Sequence, residues 1–301
     1  MESLEAPQRL AIHLLGEFCV SVDSRAIDER EWTSRKARSL VQLLALAPRH
    51  RLHREQVMDR LWPALDAQDA ANNLHKALHI ARRILEPALP PRRASAFLHL
   101  RHDVLLLEAP GDLWIDVEAF QAAAAQARRV QTARAYSEAL QLYTGELVPA
   151  DRYEDWVLAA RDRLSGLRAT LLVELAGVQE QSGDLGAAID TLQQVVASDP
   201  LHEEAQGRLM RLLVQAGRRH VALRHYQTLR AAWQRELEAE PDRALQALYQ
   251  DILGSPASGP APHQPAAQDL VERRAAERRR AGGQAGSSSA VFAKTLVADK
   301  Q

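Results

Sequence analysis

Residues 70–87 read AANNLHKALHIARRILEP, and the spacing of their apolar side chains predicts a helix that starts near Asp69 and ends at Leu85. At 100° per residue, the apolar positions fall on one stripe that must face a core. This stripe consists of Leu74, Ala77, Leu78, Ala81 and Leu85.

The opposite face of this helix is polar and basic. Its members are Asn72, Lys76, His79 and Arg83, with Asn73 and Arg82 at its edges. An ordinary solvated face would carry some Glu or Asp, yet Ala70 to Leu85 holds no acidic residue. Asn can pair with adenine, and Arg or Lys with guanine or phosphate. The face therefore predicts base contacts with duplex DNA, whereas Arg82 at its edge is predicted to contact the DNA backbone.

The flanking segments predict a winged helix around this recognition helix. Residues 10–27 favour two short strands, and a helix capped by Thr33 or Ser34 precedes Pro48. A second helix covers about 53–62, and residues 97–107 form a hairpin with a polar tip. Strands, three helices and a hairpin are the element order of a winged helix, with the third helix in the reading position.

Two further groups are predicted to contact the DNA backbone. Arg101 and His102 lie at the hairpin tip, where a wing reaches a minor groove or a phosphate. A second group, at the start of the first helix, would clamp a phosphate without reading sequence, and the basic run 49–54 could extend it. The second group consists of Ser34, Arg35, Lys36 and Arg38.

Beyond Gly111 the pattern is helical, with a repeat of 34 residues. Gly183 recurs as Gly217, and Ala188 recurs as Ala222. Three further pairs share this offset: Leu175 with Leu209, Leu192 with Tyr226, and Val195 with Leu229. This is the tetratricopeptide (TPR) period, and we expect the small residues to permit close approach of paired helices.

Charge and composition divide the chain into four parts. Residues 31–103 hold 13 Lys and Arg against 7 Asp and Glu, whereas residues 104–253 hold 15 against 22, so only the first segment suits a polyanion. We expect a flexible N-terminus at 1–9, a winged-helix DNA-binding domain at 10–110, a TPR-like helical domain at 111–253 and a disordered tail at 254–301. The fold class is multidomain and mainly α, with an α+β winged helix-turn-helix followed by an all-α repeat domain.

Several other classes of protein are excluded by the sequence. His75 and His79 have helical i, i+4 spacing, but HKALH lacks the catalytic Glu of a zinc protease motif. No phosphate loop, nucleophile elbow or dinucleotide fingerprint occurs, so we expect no enzyme activity, no cofactor and no metal. A single cysteine, Cys19, and the lack of a signal peptide or membrane span indicate a cytoplasmic protein that acts at the nucleoid.

The chain resembles the SARP family, the antibiotic-pathway regulators of actinomycetes. Three blocks match its OmpR/PhoB-type winged helix: LLGEFCVSVDSRAI at 14–27, SRKARSLVQLLALAPRHRLHREQVMDRLWP at 34–63, and AANNLHKALHIARRILEP. Further blocks look like the bacterial transcriptional activator domain (BTAD) that these regulators carry, namely DVEAF at 116–120, LYTGEL at 142–147, Asp155-Trp156, DPLHEE at 199–204 and GRRHVALRHY at 217–226. Two stretches depart from the family pattern, the RHD wing tip in place of a Gly turn and the ELEAEP stretch at 236–241.

The resemblance implies a transcriptional activator that binds double-stranded promoter repeats, forms a homodimer on DNA and recruits RNA polymerase. The helical repeats would hold a protein or peptide partner. Two alternatives stay open: a TPR-type scaffold whose winged helix binds protein, and a truncated form of a larger nucleotide-dependent signalling regulator. The first predicts no salt-sensitive duplex binding, and the second predicts a reading frame that continues past Gln301.

Overall fold

A computed structural model describes residues 8–27, 29–90 and 92–255. The predicted tail lies outside the described residues except for Gly254 and Ser255, and so does the predicted flexible N-terminus except for Gln8 and Arg9.

Within the described residues the chain forms seven strands and ten α-helices. The strands are β1 Leu10–His13, β2 Cys19–Val22, β3 Arg25–Ile27, β4 Arg51–His53, β5 Leu98–Arg101, β6 Val104–Leu107 and β7 Leu113–Ile115. The helices are α1 Arg35–Leu46, α2 Arg54–Leu61, α3 Ala67–Leu85, α4 Asp116–Val130, α5 Ala133–Gln141, α6 Asp155–Gln181, α7 Leu185–Ser198, α8 Glu203–Gln215, α9 Arg219–Leu237 and α10 Arg243–Gly254. The predicted fold class, a winged helix followed by helical repeats, is confirmed.

Two small sheets frame helices α1 to α3. The first has the strand order β3-β2-β1-β7, with β1 antiparallel to β2 and parallel to β7. The second has the order β4-β6-β5 and contains the predicted hairpin. Strands β3, β4 and β7 were not predicted from the sequence. Each of these has three residues, too few for an alternating pattern to appear.

Side-chain caps fix where the three helices begin. Ser34 accepts a hydrogen bond from the Ala37 amide and starts α1, as predicted. Asp66 accepts from the amides of Gln68 and Asp69, so α3 begins two residues before the predicted start. His53 caps α2, and the Gln56 side chain accepts from the His53 amide to complete a capping box.

In the helical part, consecutive helices pack against one another. Helices α4 and α5 pack together, α6 pairs with α7, and α8 pairs with α9. Helix α6 is a single helix of 27 residues. Gly183 and Gly217 occupy equivalent turns after α6 and α8, with φ of 82° and 73°. The 34-residue spacing therefore follows the repeated helix pair.

The apolar core falls into two clusters that meet along α6. The first extends from Leu10 of β1 through the winged helix and α4 to Leu175 of α6. The second begins at Leu172 and extends to Ile252 of α10. The winged helix thus shares a core with the first helices that follow it. No helix in the described part of the chain is long and apolar enough to cross a membrane.

Candidate nucleic-acid interface

The third helix separates its apolar and polar side chains as the sequence predicts. Leu74, Ala77, Leu78, Ala81 and Leu85 are all buried. Asn72, Lys76, His79 and Arg83 are all exposed. Because the buried stripe packs toward α1 and α2, the polar face is left open to solvent along about three turns of helix.

The edges of this face are less accessible. Asn73 and Arg82 are both half-buried, and the Arg82 Nε donates to the Leu98 carbonyl of β5 at 3.0 Å. Burial lowers the pKa of the Arg82 guanidinium and the nearby Glu86 raises it, but an arginine stays charged at neutral pH in either case. Arg82 therefore joins α3 to the wing and keeps its charge. The side chain of Asn72 accepts from Gln68, one turn earlier, at 3.5 Å.

The wing closes in a tight turn without glycine. His102 and Asp103 adopt positive φ of 47° and 64°, as the two central residues of a type I′ hairpin turn require. His and Asp tolerate this conformation better than most residues, so the RHD tip can replace a Gly turn. Arg101 and His102 are exposed at the tip, where Arg101 lies 3.5 Å from His99 and 3.9 Å from Glu108.

A basic residue at the start of α2 lies against the same tip. The Arg54 amide donates to the Asp103 carbonyl at 2.8 Å, and its guanidinium lies 3.1 Å from the Asp103 carboxylate. Strand β4 brings it there by pairing with β6. The sequence predicted the run 49–54 only as an extension of the phosphate contacts at the start of α1. The basic composition of that run was the available signal, but the strand pairing across 50 residues could not be read from it.

The predicted phosphate clamp at the start of α1 has carboxylate partners in the chain itself. Arg35 lies 3.0 Å from Asp151 and 2.9 Å from Glu154. Lys36 lies 3.5 Å from Glu154, and Arg38 lies 3.4 Å from Asp151. Ser34 is used as the helix cap. The structure thus brings these four residues together at the start of α1, where the three cations contact Asp151 and Glu154.

The two histidines with metal-like spacing are both exposed on α3. Among the residues that the structure describes, no group of three or more His, Cys, Asp or Glu side chains could hold a metal ion.

A winged-helix scaffold whose third helix exposes a polar face, joined to helical repeats, is the architecture of two-part transcriptional regulators. The profile of the bacterial transcriptional activator domain matches residues 115–253. The transcriptional regulator RedD of Streptomyces coelicolor is 27% identical over 223 residues, which cover 72% of this chain and 64% of RedD. These matches support a transcriptional regulator of the SARP type.

A solved structure shares the fold across most of the chain. Mycobacterium tuberculosis EmbR, determined in complex with a low affinity phosphopeptide, superimposes with a TM-score of 0.66 at 20% identity. The match covers 92% of this chain and 72% of EmbR. At this identity, the likeness concerns the fold alone.

Proposed function

We propose that this protein is a sequence-specific DNA-binding regulator that reads the major groove of promoter DNA with α3. The observation that carries the proposal is the exposed face of Asn72, Lys76, His79 and Arg83. The one carboxylate within α3, Asp69, lies in its first turn, and Ala70 to Leu85 holds none to oppose an approaching phosphate backbone. The opposite side of α3 is buried in the core, so this helix presents its exposed face on a rigid element.

The proposed base contacts follow from side-chain chemistry. Asn72 and Asn73 can each donate to and accept from adenine, and Arg83 can donate two hydrogen bonds to guanine. Lys76 carries a single flexible charge that suits either guanine or phosphate. His79 lies one turn after Lys76 and adds a donor to the same groove.

The proposed backbone contacts come from the wing and the edge of α3. Arg101 and His102 at the exposed tip would reach the minor groove or a phosphate, and Arg82 would reach the adjacent phosphate. The phosphate contact of Ser34, Arg35, Lys36 and Arg38 stays a prediction. It would require the three cations to leave Asp151 and Glu154.

We further infer that the regulator activates transcription from repeated promoter sites, where two copies bind side by side and recruit RNA polymerase. The activator-domain match and the likeness to RedD support an activating role and argue against an enzyme. The acidic helical repeats offer a surface for a protein or peptide partner. Such a regulator acts at the nucleoid in the cytoplasm.

In vitro selection from a random duplex library tests the proposal. The full chain is expected to enrich a repeated motif, and Asn72→Ala is expected to relax one base position at a cost of about 1–3 kcal/mol there. Arg134→Ala is the matched control, because Arg134 is an exposed cation of the helical part, and it should enrich the wild-type motif. Failure of the wild-type chain to enrich any motif would favour a protein-binding scaffold instead.

A further inference from the structure

The cations at the start of α1 converge on two carboxylates from one short segment. Asp151 ends a 3-10 turn, and Glu154 directly precedes α6. Between them, these carboxylates contact Arg35, Lys36 and Arg38 at 2.9–3.5 Å. We call these five residues the ionic clamp.

Burial makes the clamp difficult to open. The side chain of Asp151 is fully buried, and that of Arg38 is only 13% exposed. A buried charge that loses its partner is strongly destabilising, because neither water nor another group replaces the lost interaction. If Arg35 and Arg38 moved to a DNA phosphate, the buried Asp151 carboxylate would lose both of these cationic partners. Arg35 and Arg38 are therefore better placed as partners of Asp151 than as ligands of a DNA phosphate.

A second contact holds the same segment to the first sheet. The Val148 amide donates to the Leu14 carbonyl at 2.8 Å, and the Gly16 amide donates to the Glu146 carbonyl at 2.9 Å. Gly145 approaches Gly16 so closely that a Cβ on it would lie 2.8 Å from the Gly16 Cα. Residues 144–154 thus contact the winged helix on two sides, at the loop after β1 and at α1.

The clamp is connected to the proposed reading helix through α1. Helices α1 and α3 pack against each other, and the buried side of α1 includes Leu40 and Leu44. Protein interiors are close-packed, so a shift of α1 is transmitted to the helix packed on it. The position of α3 relative to the helical part therefore depends on where the clamp holds α1.

We propose that Asp151 and Glu154 are positioning residues through which the helical domain sets the orientation of the reading helix, and that Arg35, Lys36 and Arg38 serve this clamp rather than DNA phosphate. The inference rests on the proposed function for its DNA readout. The clamp itself can be measured without DNA.

Thermal unfolding of the full chain tests the clamp by a double-mutant cycle of Arg38→Gln and Asp151→Asn. Each single variant is expected to lower the Tm by about 5–10 °C, and the double variant by clearly less than the sum, because the two groups interact directly. Glu138→Gln is the control, since Glu138 forms an exposed ion pair with Arg134, and its Tm should hardly change. If the Tm change of the double variant equals the sum of the two single changes, Arg38 and Asp151 are not coupled and the ionic clamp is overturned.

Duplex binding separates positioning from phosphate contact. Glu154→Gln should weaken binding to the selected motif about tenfold and leave binding to random duplex unchanged, which a loss of folded protein alone would not do. Arg35→Ala and Lys36→Ala should leave the slope of log Kd against log salt unchanged. A slope that falls by about one in these two variants would assign the cations to phosphate and overturn the inference. If no duplex binds at any salt, the proposed function fails while the cycle still decides the clamp.

Discussion

Gly183 and Gly217 recur in the repeat because the turns that they occupy need a positive φ. The sequence analysis predicted that Gly183 and Gly217 allow close helix approach, but a Cβ on either would meet no atom within 4 Å. Their positive φ is what requires glycine, because an L side chain is strained in that conformation. The expected close packing holds instead for Ala188 and Ala222, which are fully buried. The period was thus readable from the sequence, whereas the physical role of each small residue was not.

Three glycine-to-alanine variants test this distinction. Gly183→Ala and Gly217→Ala should each lower the free energy of unfolding by about 1–2 kcal/mol through backbone strain alone. Gly166 lies inside α6, has no positive φ and has equally open surroundings, so Gly166→Ala should raise stability by about 0.5–1 kcal/mol. Urea unfolding measures all three. Equal effects at the three sites would contradict the assignment to φ.

At the scale of elements, the sequence predicted those whose side chains repeat over several turns. Helices α1 and α3 begin within two residues of their predicted starts, and the hairpin β5–β6 lies at its predicted position. Strands β4 and β7 were missed because each has three residues and owes its place to a partner far along the chain. The polar face of α3 could be predicted from the sequence of that helix alone, because the 3.6-residue period separates its apolar positions from its polar ones. Arg54 could not, because only the β4–β6 pairing brings it to the wing.

The contact between α8 and α9 should respond to pH. His225 of α9 hydrogen-bonds to Gln206 of α8, and burial lowers the pKa of the His225 imidazole below its usual 6.5. The unfolded chain therefore takes up a proton first as pH falls, so this site's contribution to stability is complete above about 6.5 and declines below it. Thermal unfolding between about pH 7.5 and 5.5 should show a steeper loss for wild type than for His225→Gln. Identical pH profiles would contradict the assignment.

At the scale of the whole molecule, the winged helix and the helical part are joined more closely than composition suggested. The predicted boundary at residues 110 and 111 remains a prediction, but β7 and Asp116 lie beyond it and contact β1 and its following loop. Asp116 accepts hydrogen bonds from the amides of Leu14 and Leu15 at 2.8 Å, and burial raises the pKa of its carboxyl. Contacts between residues 100 or more positions apart leave no periodic trace in a sequence. The charge difference between the two halves could be predicted from the sequence, whereas the ionic clamp that connects them could not.

The central claim is that the exposed face of Asn72, Lys76, His79 and Arg83 on α3 contacts DNA. Fluorescence anisotropy of a labelled promoter duplex, measured between about 50 and 200 mM salt, compares the wild-type chain with Lys76→Ala and Arg134→Ala. Lys76→Ala should weaken binding to all duplexes and reduce the salt slope by about one, because one phosphate or groove charge contact is lost. Arg134→Ala should match wild type. A Lys76→Ala chain with unchanged Kd and slope would contradict the account.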